Sequence, residues 1–278
     1  MIARRILQSS VDVIPWRVRG IVRRIPLLRS VQRWILRRYL GGVSFVHTIN
    51  AGPAKGVRFQ VTLPDDKLIW TGTWEMELAS AIGDSIRTGD VCYDVGSYRG
   101  FFAGVMGASG AARIHCFEPN PSNLAQLERL QELNPHLPIE VHAIGIGEVD
   151  GVGDFLIMRE ATMGKLVTSA FQRTAERVDT LQVRIARVDT LVELEMIAPP
   201  NVMKIDVEGA ELEVIRGAQK TLVVSKPVLF IEAHSPDLAR DCEDLLLRLG
   251  YSVSVLETGH GVETAASLDV CHLVARNV

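Results

Sequence analysis

The chain has 278 residues, of which 47% are apolar and 23% charged, enough for one large α/β domain with an extension. Its formal charge of −3 is uneven, because residues 1–40 hold ten arginines, no lysine and one acid, Asp12, a local +9 that leaves −12 on the remainder. An acidic body argues against a protein that coats nucleic acid, whose phosphate contacts need a broad basic surface.

Pro15 and Pro26 break any single long helix at the start. From Leu27 to Leu40, apolar residues (Leu27, Leu28, Val31, Trp34, Ile35, Leu40) recur at helical spacing opposite Arg29, Arg33, Arg37 and Arg38. This stretch reads as an amphipathic helix that packs on the protein or a partner, or lies in an anionic membrane surface. The Arg-rich, acid-poor start also resembles an organellar transit peptide. It lacks the apolar core of a secretory signal, and no eighteen-residue apolar run follows, so the expectation is a cytoplasmic protein, peripheral to a membrane at most. The basic extension is set at residues 1–42, and the catalytic domain at 43–278 with its core at 74–278.

Two β-like runs, Val43 to Thr48 and Val57 to Leu63, precede a helical stretch over Trp74 to Ile86. From Asp90, apolar runs alternate with amphipathic ones, the pattern of a parallel sheet. Strands are predicted at Val91–Val95, Ile114–Phe117, Ile139–Ile144, Val202–Ile205 and Val228–Ala233. Helices are predicted at Gly100–Ala108, Pro121–Leu133, Glu211–Val224 and Pro236–Leu249. Two closing strands, Ser252–Leu256 and Val270–Ala275, joined by a turn around Gly259 and Gly261, should be antiparallel neighbours. The fold class is thus a Rossmann-like, mostly parallel seven-stranded sheet with helices on both faces. Cys92, Cys116, Cys242 and Cys271 have no CxxC spacing, which disfavours a zinc site or a disulfide framework.

Val91 to Phe102 (VCYDVGSYRGFF) is a buried strand running through a glycine turn into a helix, where backbone closely approaches a ligand. A dinucleotide site would have GxGxxG, but Ser97 and Tyr98 separate Gly96 from Arg99 and Gly100, so the pyrophosphate cradle is missing. This disfavours an NAD-dependent oxidoreductase. S-adenosylmethionine has no phosphate and carries an ammonium and a sulfonium, which suit Asp94 at the strand end. Glu118 ends the next strand 22 residues beyond Gly96, the distance at which an acid reaches ribose hydroxyls. Ala143 and Ile144, closing the third strand, offer an apolar edge for adenine.

The segments DVGSYRG, HCFEPNP, VDTL, MKIDVEGAELEVIRGA and VLFIEAH, in this order, resemble the FkbM family of methyltransferases over roughly Trp74 to Tyr251, most specifically from Met203 to Ala218. The resemblance implies a class I methyltransferase fold, S-adenosylmethionine as donor, and a hydroxyl acceptor on a sugar, glycan or polyketide-like molecule. Carried over residue by residue, Asp94, Gly96, Gly100 and Glu118 are cofactor contacts, with Glu75 as another. Two positions depart: Ser97-Tyr98 stands where the family usually has Ala-Asn, and Ile146 where it usually has Asp.

Methyl transfer to a hydroxyl needs alignment and a base for the departing proton. Asp206 and Glu208 end the fourth strand, and Glu232 and His234 the fifth, so these four are the candidate catalytic residues. His234 is the preferred base, as a neutral imidazole of pKa about 6.5. Asp206 is the alternative base, or offsets the sulfonium charge. Glu211, one helical turn past Glu208, reads as an ordinary helix N-terminal acid. The carboxylates Asp206, Glu208 and Glu232 could hold Mg²⁺, but no spacing demands it and no metal is expected. A non-catalytic module with the same fold is the remaining alternative.

Overall fold

The computed structural model describes residues 42–158, 164–166, 177–265 and 268–277. The basic amphipathic stretch at 27–40 lies outside them. Among the described residues no helix is long and apolar enough to cross a membrane.

Strands β1 (Ser44–Thr48) and β2 (Arg58–Thr62) form an antiparallel pair. Helices α1 (Lys67–Thr71) and α2 (Met76–Ser85) lead to the main sheet. This sheet is built from β3 (Val91–Val95), β4 (Arg113–Phe117), β5 (Ile139–His142), β10 (Val202–Ile205), β11 (Val228–Ala233), β12 (Tyr251–Val255) and β13 (Cys271–Asn277). Their spatial order is β12-β13-β11-β10-β3-β4-β5. All pairings from β5 to β11 are parallel, whereas β13 runs antiparallel to both β11 and β12, between them. The closing strands are antiparallel neighbours as expected, and the later one takes the inner position.

Alternate residues of each strand feed two cores, as a sheet covered on both faces requires. Cys92, Ile114, Cys116, Val202 and Phe230 pack with β2, α2, α3 (Phe101–Ala108) and α4 (Pro121–Leu133). Tyr93, Val95, Phe117, Met203, Ile205, Leu229 and Ile231 pack with α5 (Val188–Glu193), α6 (Glu211–Arg216), α7 (Gln219–Ser225) and α8 (Pro236–Arg248). The starts of α4 and α8 match the sequence because each carries a local start signal. Asn120 and Ser235 accept from the backbone amides of Ser122 and Leu238, and Pro121 and Pro236 occupy the first helical turn.

Two features depart from expectation. The helix predicted over Glu211–Val224 is two helices, broken at Gly217, where a Cβ would lie 2.0 Å from the Gly147 carbonyl oxygen. The intruding loop, absent from any local pattern, ends the helix. A second sheet was also not anticipated: β6 (Gly145–Ile146), β7 (Gly151–Met158), β8 (Gly164–Leu166) and β9 (Arg177–Ala186), in the order β6-β9-β7-β8. It lies between β5 and α5 in the chain and brings Phe155 to the cleft described next.

Candidate active site

A cleft of about 910 Å³, open mouth included, lies at the carboxyl ends of β3, β4, β10 and β11. Ligands bind at this edge of doubly wound sheets, where the strand order reverses. Here the reversal falls between β3 and β10. Gly96 forms the turn after β3 at φ +77°, and a Cβ there would sit 1.7 Å from the Asp206 carbonyl oxygen. Only glycine fits, and its bare backbone becomes part of the cleft wall. The turn is fixed by Gly96 and Ser97 amides, which donate to the Phe117 carbonyl at 3.0 and 3.2 Å.

Of the residues expected to contact a cofactor, Glu75, Gly96 and Glu118 line this cleft. Glu118 accepts from the Tyr98 amide at 2.9 Å and the Asn120 amide at 2.8 Å, and burial lifts its pKa to about 7. Glu75 stands at the start of α2 with φ 38°, and burial followed by repulsion from Glu232 lifts it to about 7. Its Oε2 is buried without a hydrogen bond, 3.9 Å from His272 Nε2, while the residue as a whole lines the cleft wall.

The other expected contacts lie elsewhere. Asp94 is fully buried below the turn, facing Lys204 at 3.7 Å rather than the cleft. Gly100, at φ +79°, is where α3 meets Leu127 and Leu130 of α4, so its missing side chain serves helix packing. Ala143 and Ile144 are replaced on the wall by Gly145 and Ile146. The reason is that β5 ends two residues early at His142, where the Ile144 amide turns back onto the His142 carbonyl. Ile144 then packs into the core on one face of the sheet, and the chain re-enters as β6. The Ser97-Tyr98-Arg99 centre is tethered at each residue. Ser97 Oγ donates to the Asp94 carbonyl at 2.6 Å, Tyr98 stacks on Trp74 at 6.1 Å, and Arg99 pairs with Asp66.

The four candidate catalytic residues do converge. Asp206, Glu208 and Glu232 line the cleft. His234, 4% exposed, lies behind them, with Nε2 at 3.8 Å from Asp206, 3.4 Å from Glu208 and 3.6 Å from Glu232. Its Nδ1 meets Glu211 Oε1 at 3.0 Å. Glu211 is more than a helix-start acid, since the same oxygen also accepts the Val207 and Gly209 amides at 3.1 Å. Glu208 is held at φ 55°, a left-handed conformation uncommon outside glycine.

These charges reverse the role expected of His234. Burial alone would lower its pKa, but the Glu211 hydrogen bond and the surrounding carboxylates raise it to about 9. That favours the imidazolium at neutral pH, a form with no lone pair to accept a proton. Glu208 moves toward neutrality instead: burial, opposed by His234 and reinforced by Asp206 and Glu232, takes it to about 7.

Two residues absent from the sequence reading complete the site. Lys204, a buried charge inside the apolar strand VMKI, donates to Asp206 Oδ2 at 3.0 Å and to the Gly96 carbonyl at 3.3 Å. A lysine in a core strand was a usable signal. His272, on β13, faces Glu232 across the antiparallel pair at 3.5 Å and Glu75 at 3.9 Å, while Nδ1 binds Glu257. Burial opposes its charge, but Glu232 and Glu257 raise its pKa to about 10. No local pattern pointed to it, since its place depends on strand order. Asp206, Glu208 and His234 bring ligand-type atoms within 4.8 Å of one another, as do Glu75, Glu232 and His272.

Comparison with known proteins bears on what this cleft holds. The methyltransferase FkbM domain matches residues 94–253, more than half of the chain. The hexuronic acid methyltransferase AglP of Haloferax volcanii is 27% identical over 181 residues, covering 65% of this chain and 71% of that protein. Among solved structures, the methyltransferase FkbM of Methylobacillus flagellatus aligns at a TM-score of 0.45 and 19% identity, over 69% of this chain. The chain spans less than half of that protein, 44% of its length. The precorrin-6y C5,15-methyltransferase of Geobacter metallireducens aligns at a TM-score of 0.45 and 12% identity, over 72% of this chain and 87% of the other. The domain match spans the glycine turn, Glu118, and the strand ends that carry Asp206, Glu208, Glu232 and His234, and on that ground the chain belongs to the FkbM family of S-adenosylmethionine-dependent methyltransferases.

Proposed function

We propose that the chain methylates a hydroxyl group of a sugar or glycan, with Glu208 as the base. The observation that carries this reading is Glu208 itself, a carboxylate on the cleft wall whose surroundings bring it to a pKa of about 7. A base acts best with a pKa near the working pH. The likeness to a hexuronic acid methyltransferase supports a carbohydrate acceptor.

S-adenosylmethionine supplies an electrophilic methyl group and a neutral thioether leaving group. Glu118 would accept from its ribose hydroxyls and Glu75 from its ammonium, both being carboxylates on the cleft wall, and the bare Gly96 turn would lie against it with no side chain between. Gly145 and Ile146 offer the apolar edge for adenine. On the acceptor side, Glu208 would take the proton of the hydroxyl that receives the methyl group. The His234 imidazolium holds Asp206, Glu208 and Glu232 in one place, so the acceptor meets a fixed set of hydrogen-bond acceptors.

The test is transfer of a labelled methyl group to a panel of neutral sugars, uronic acids and glycan fragments, with Glu208→Gln alongside. Transfer to a carbohydrate hydroxyl that Glu208→Gln loses by about 100-fold or more supports the proposal. Transfer confined to amines or thiols, or a Glu208→Gln variant with unchanged kcat, defeats it.

A further inference from the structure

A lysine at the centre of a parallel sheet is costly unless every part of its charge is answered. Lys204 lies on β10 directly opposite Asp94 of β3 and Phe230 of β11, and is 3% exposed. Its ammonium touches four separate parts of the molecule. It donates to Asp206 Oδ2 at 3.0 Å and to the Gly96 carbonyl at 3.3 Å, lies 3.7 Å from Asp94 Oδ1, and sits 4.8 Å from the centre of the Phe102 ring on α3.

Distances rank these contacts. If the lysine served only to neutralise Asp94, Asp94 would be its nearest partner. It is the farthest of the three oxygens, at ion-pair range, while the two hydrogen bonds go to the cofactor turn and to the acid at the acceptor end. The turn is thereby strung between two strands: the Gly96 amide is bound to Phe117 of β4, and the Gly96 carbonyl to the Lys204 ammonium of β10.

We infer that Lys204 is a positioning residue, whose ammonium ties the glycine turn that receives S-adenosylmethionine to Asp206 beside the acceptor. The part of this inference that concerns turnover rests on the proposed hydroxyl methylation; the part that concerns cofactor binding does not. The ammonium is the cation closest to Asp206, which is also faced by Asp94 from β3, Glu75 from the start of α2, Glu208 from its own turn, Glu232 from β11 and His234 just past its end. His272 reaches the same group of acids from β13 through Glu232 and Glu75. Burial and Glu232 raise Asp206, and Lys204, ahead of His234, opposes that rise. Removing that charge should raise Asp206 further, so that its ionisation joins that of Glu208 in setting the acidic limb of the pH–rate profile, which moves upward.

Three variants test this: Lys204→Arg keeps the charge, Lys204→Gln keeps a neutral donor, and Lys204→Met keeps only the bulk. S-adenosylmethionine affinity is measured by calorimetry, and kcat against pH on the best acceptor. Losing a charge-assisted hydrogen bond to the turn should weaken cofactor binding in Lys204→Met by about 10- to 100-fold. Lys204→Gln should fall between, Lys204→Arg should recover most of the affinity, and only the two neutral variants should show the upward shift in pH profile. Should Lys204→Met fail to fold, the ordering of Arg above Gln decides. Affinities within twofold of the wild type in every folded variant, with an unmoved pH profile, would show the lysine to be structural ballast. Absence of transfer to any carbohydrate by the wild type would defeat the proposed function, and calorimetry alone would then judge Lys204.

Discussion

Gly96→Ala places a methyl group where the structure has a peptide oxygen. The new Cβ would lie 1.7 Å from the Asp206 carbonyl oxygen and 2.8 Å from its carbon, against an ordinary contact of 3.4 Å or more. Backbone cannot swing aside as a side chain does, so β3 and β10 must part near their ends. That threatens the hydrogen bond from the Asp206 amide to the Val95 carbonyl, 3.0 Å long. The left-handed φ of +77° costs an alanine about 1–2 kcal/mol, and a buried amide without its partner about 1–3 kcal/mol more. At roughly 2–4 °C per kcal/mol for a domain of this size, Tm should fall on the order of 10 °C. Cofactor binding should suffer beyond what stability explains, because the displaced turn is the cleft wall. Calorimetric titration of S-adenosylmethionine into the folded variant well below its Tm, with a thermal melt beside it, reads both. Binding within twofold of the wild type together with a Tm within 2 °C would refute the close-approach argument.

Gly100→Ala shares the left-handed backbone, but its Cβ would meet the side-chain tips of Leu127 and Leu130. It should lower Tm by several degrees and leave cofactor affinity within about threefold, measured by the same two methods. For turnover, kcat should rise with pH through about 7 as Glu208 gives up its proton, and decline above about 9 as His234 loses its charge. A kcat flat from pH 6 to 10 would contradict both assignments. Stability should follow the histidines: His234 and His272 are raised above an ordinary value of 6.5, so their contribution is complete below that pH and is lost as pH climbs through about 9 and 10. Thermal melts should therefore show a lower Tm at pH 10 than at pH 7, with the difference reduced in His272→Gln.

The main sheet was legible because its strands are buried on both faces and stand out as apolar runs; VCYDV, VMKI and VLFIEA were bounded correctly. Helices with proline and an Asn or Ser cap were bounded well for the same local reason. The second sheet did carry a signal, the alternation of Leu181, Val183 and Ile185 with Gln182 and Arg184, but its exposed positions are polar and it lacks the unbroken apolar run that marks the main strands. Glu75 came only with the family resemblance, whereas Glu118, Asp206, Glu208 and Glu232 were found because each stands at or just past a strand's end, a local fact. What they do was not, because the state of His234 depends on Glu211 and three carboxylates brought together only by folding. Asp94 illustrates the same limit: its place at the strand end was visible, whereas its burial under the turn was not.

The placing of β13 between β11 and β12 also sets a schedule. Glu75 is synthesised before the first strand of the sheet and His272 on the last, so the two ends of the domain meet across Glu232. Gly96, Glu118, Asp206 and Glu208 all precede β13 in the chain, so the acidic cleft they line lacks one of its counter-charges without that strand. With β13 out of its slot, β11 has an open edge and Glu232 has no imidazolium from that side. Completion of the pocket is thus coupled to completion of the sheet, and the last strand to be made acts as the latch on both.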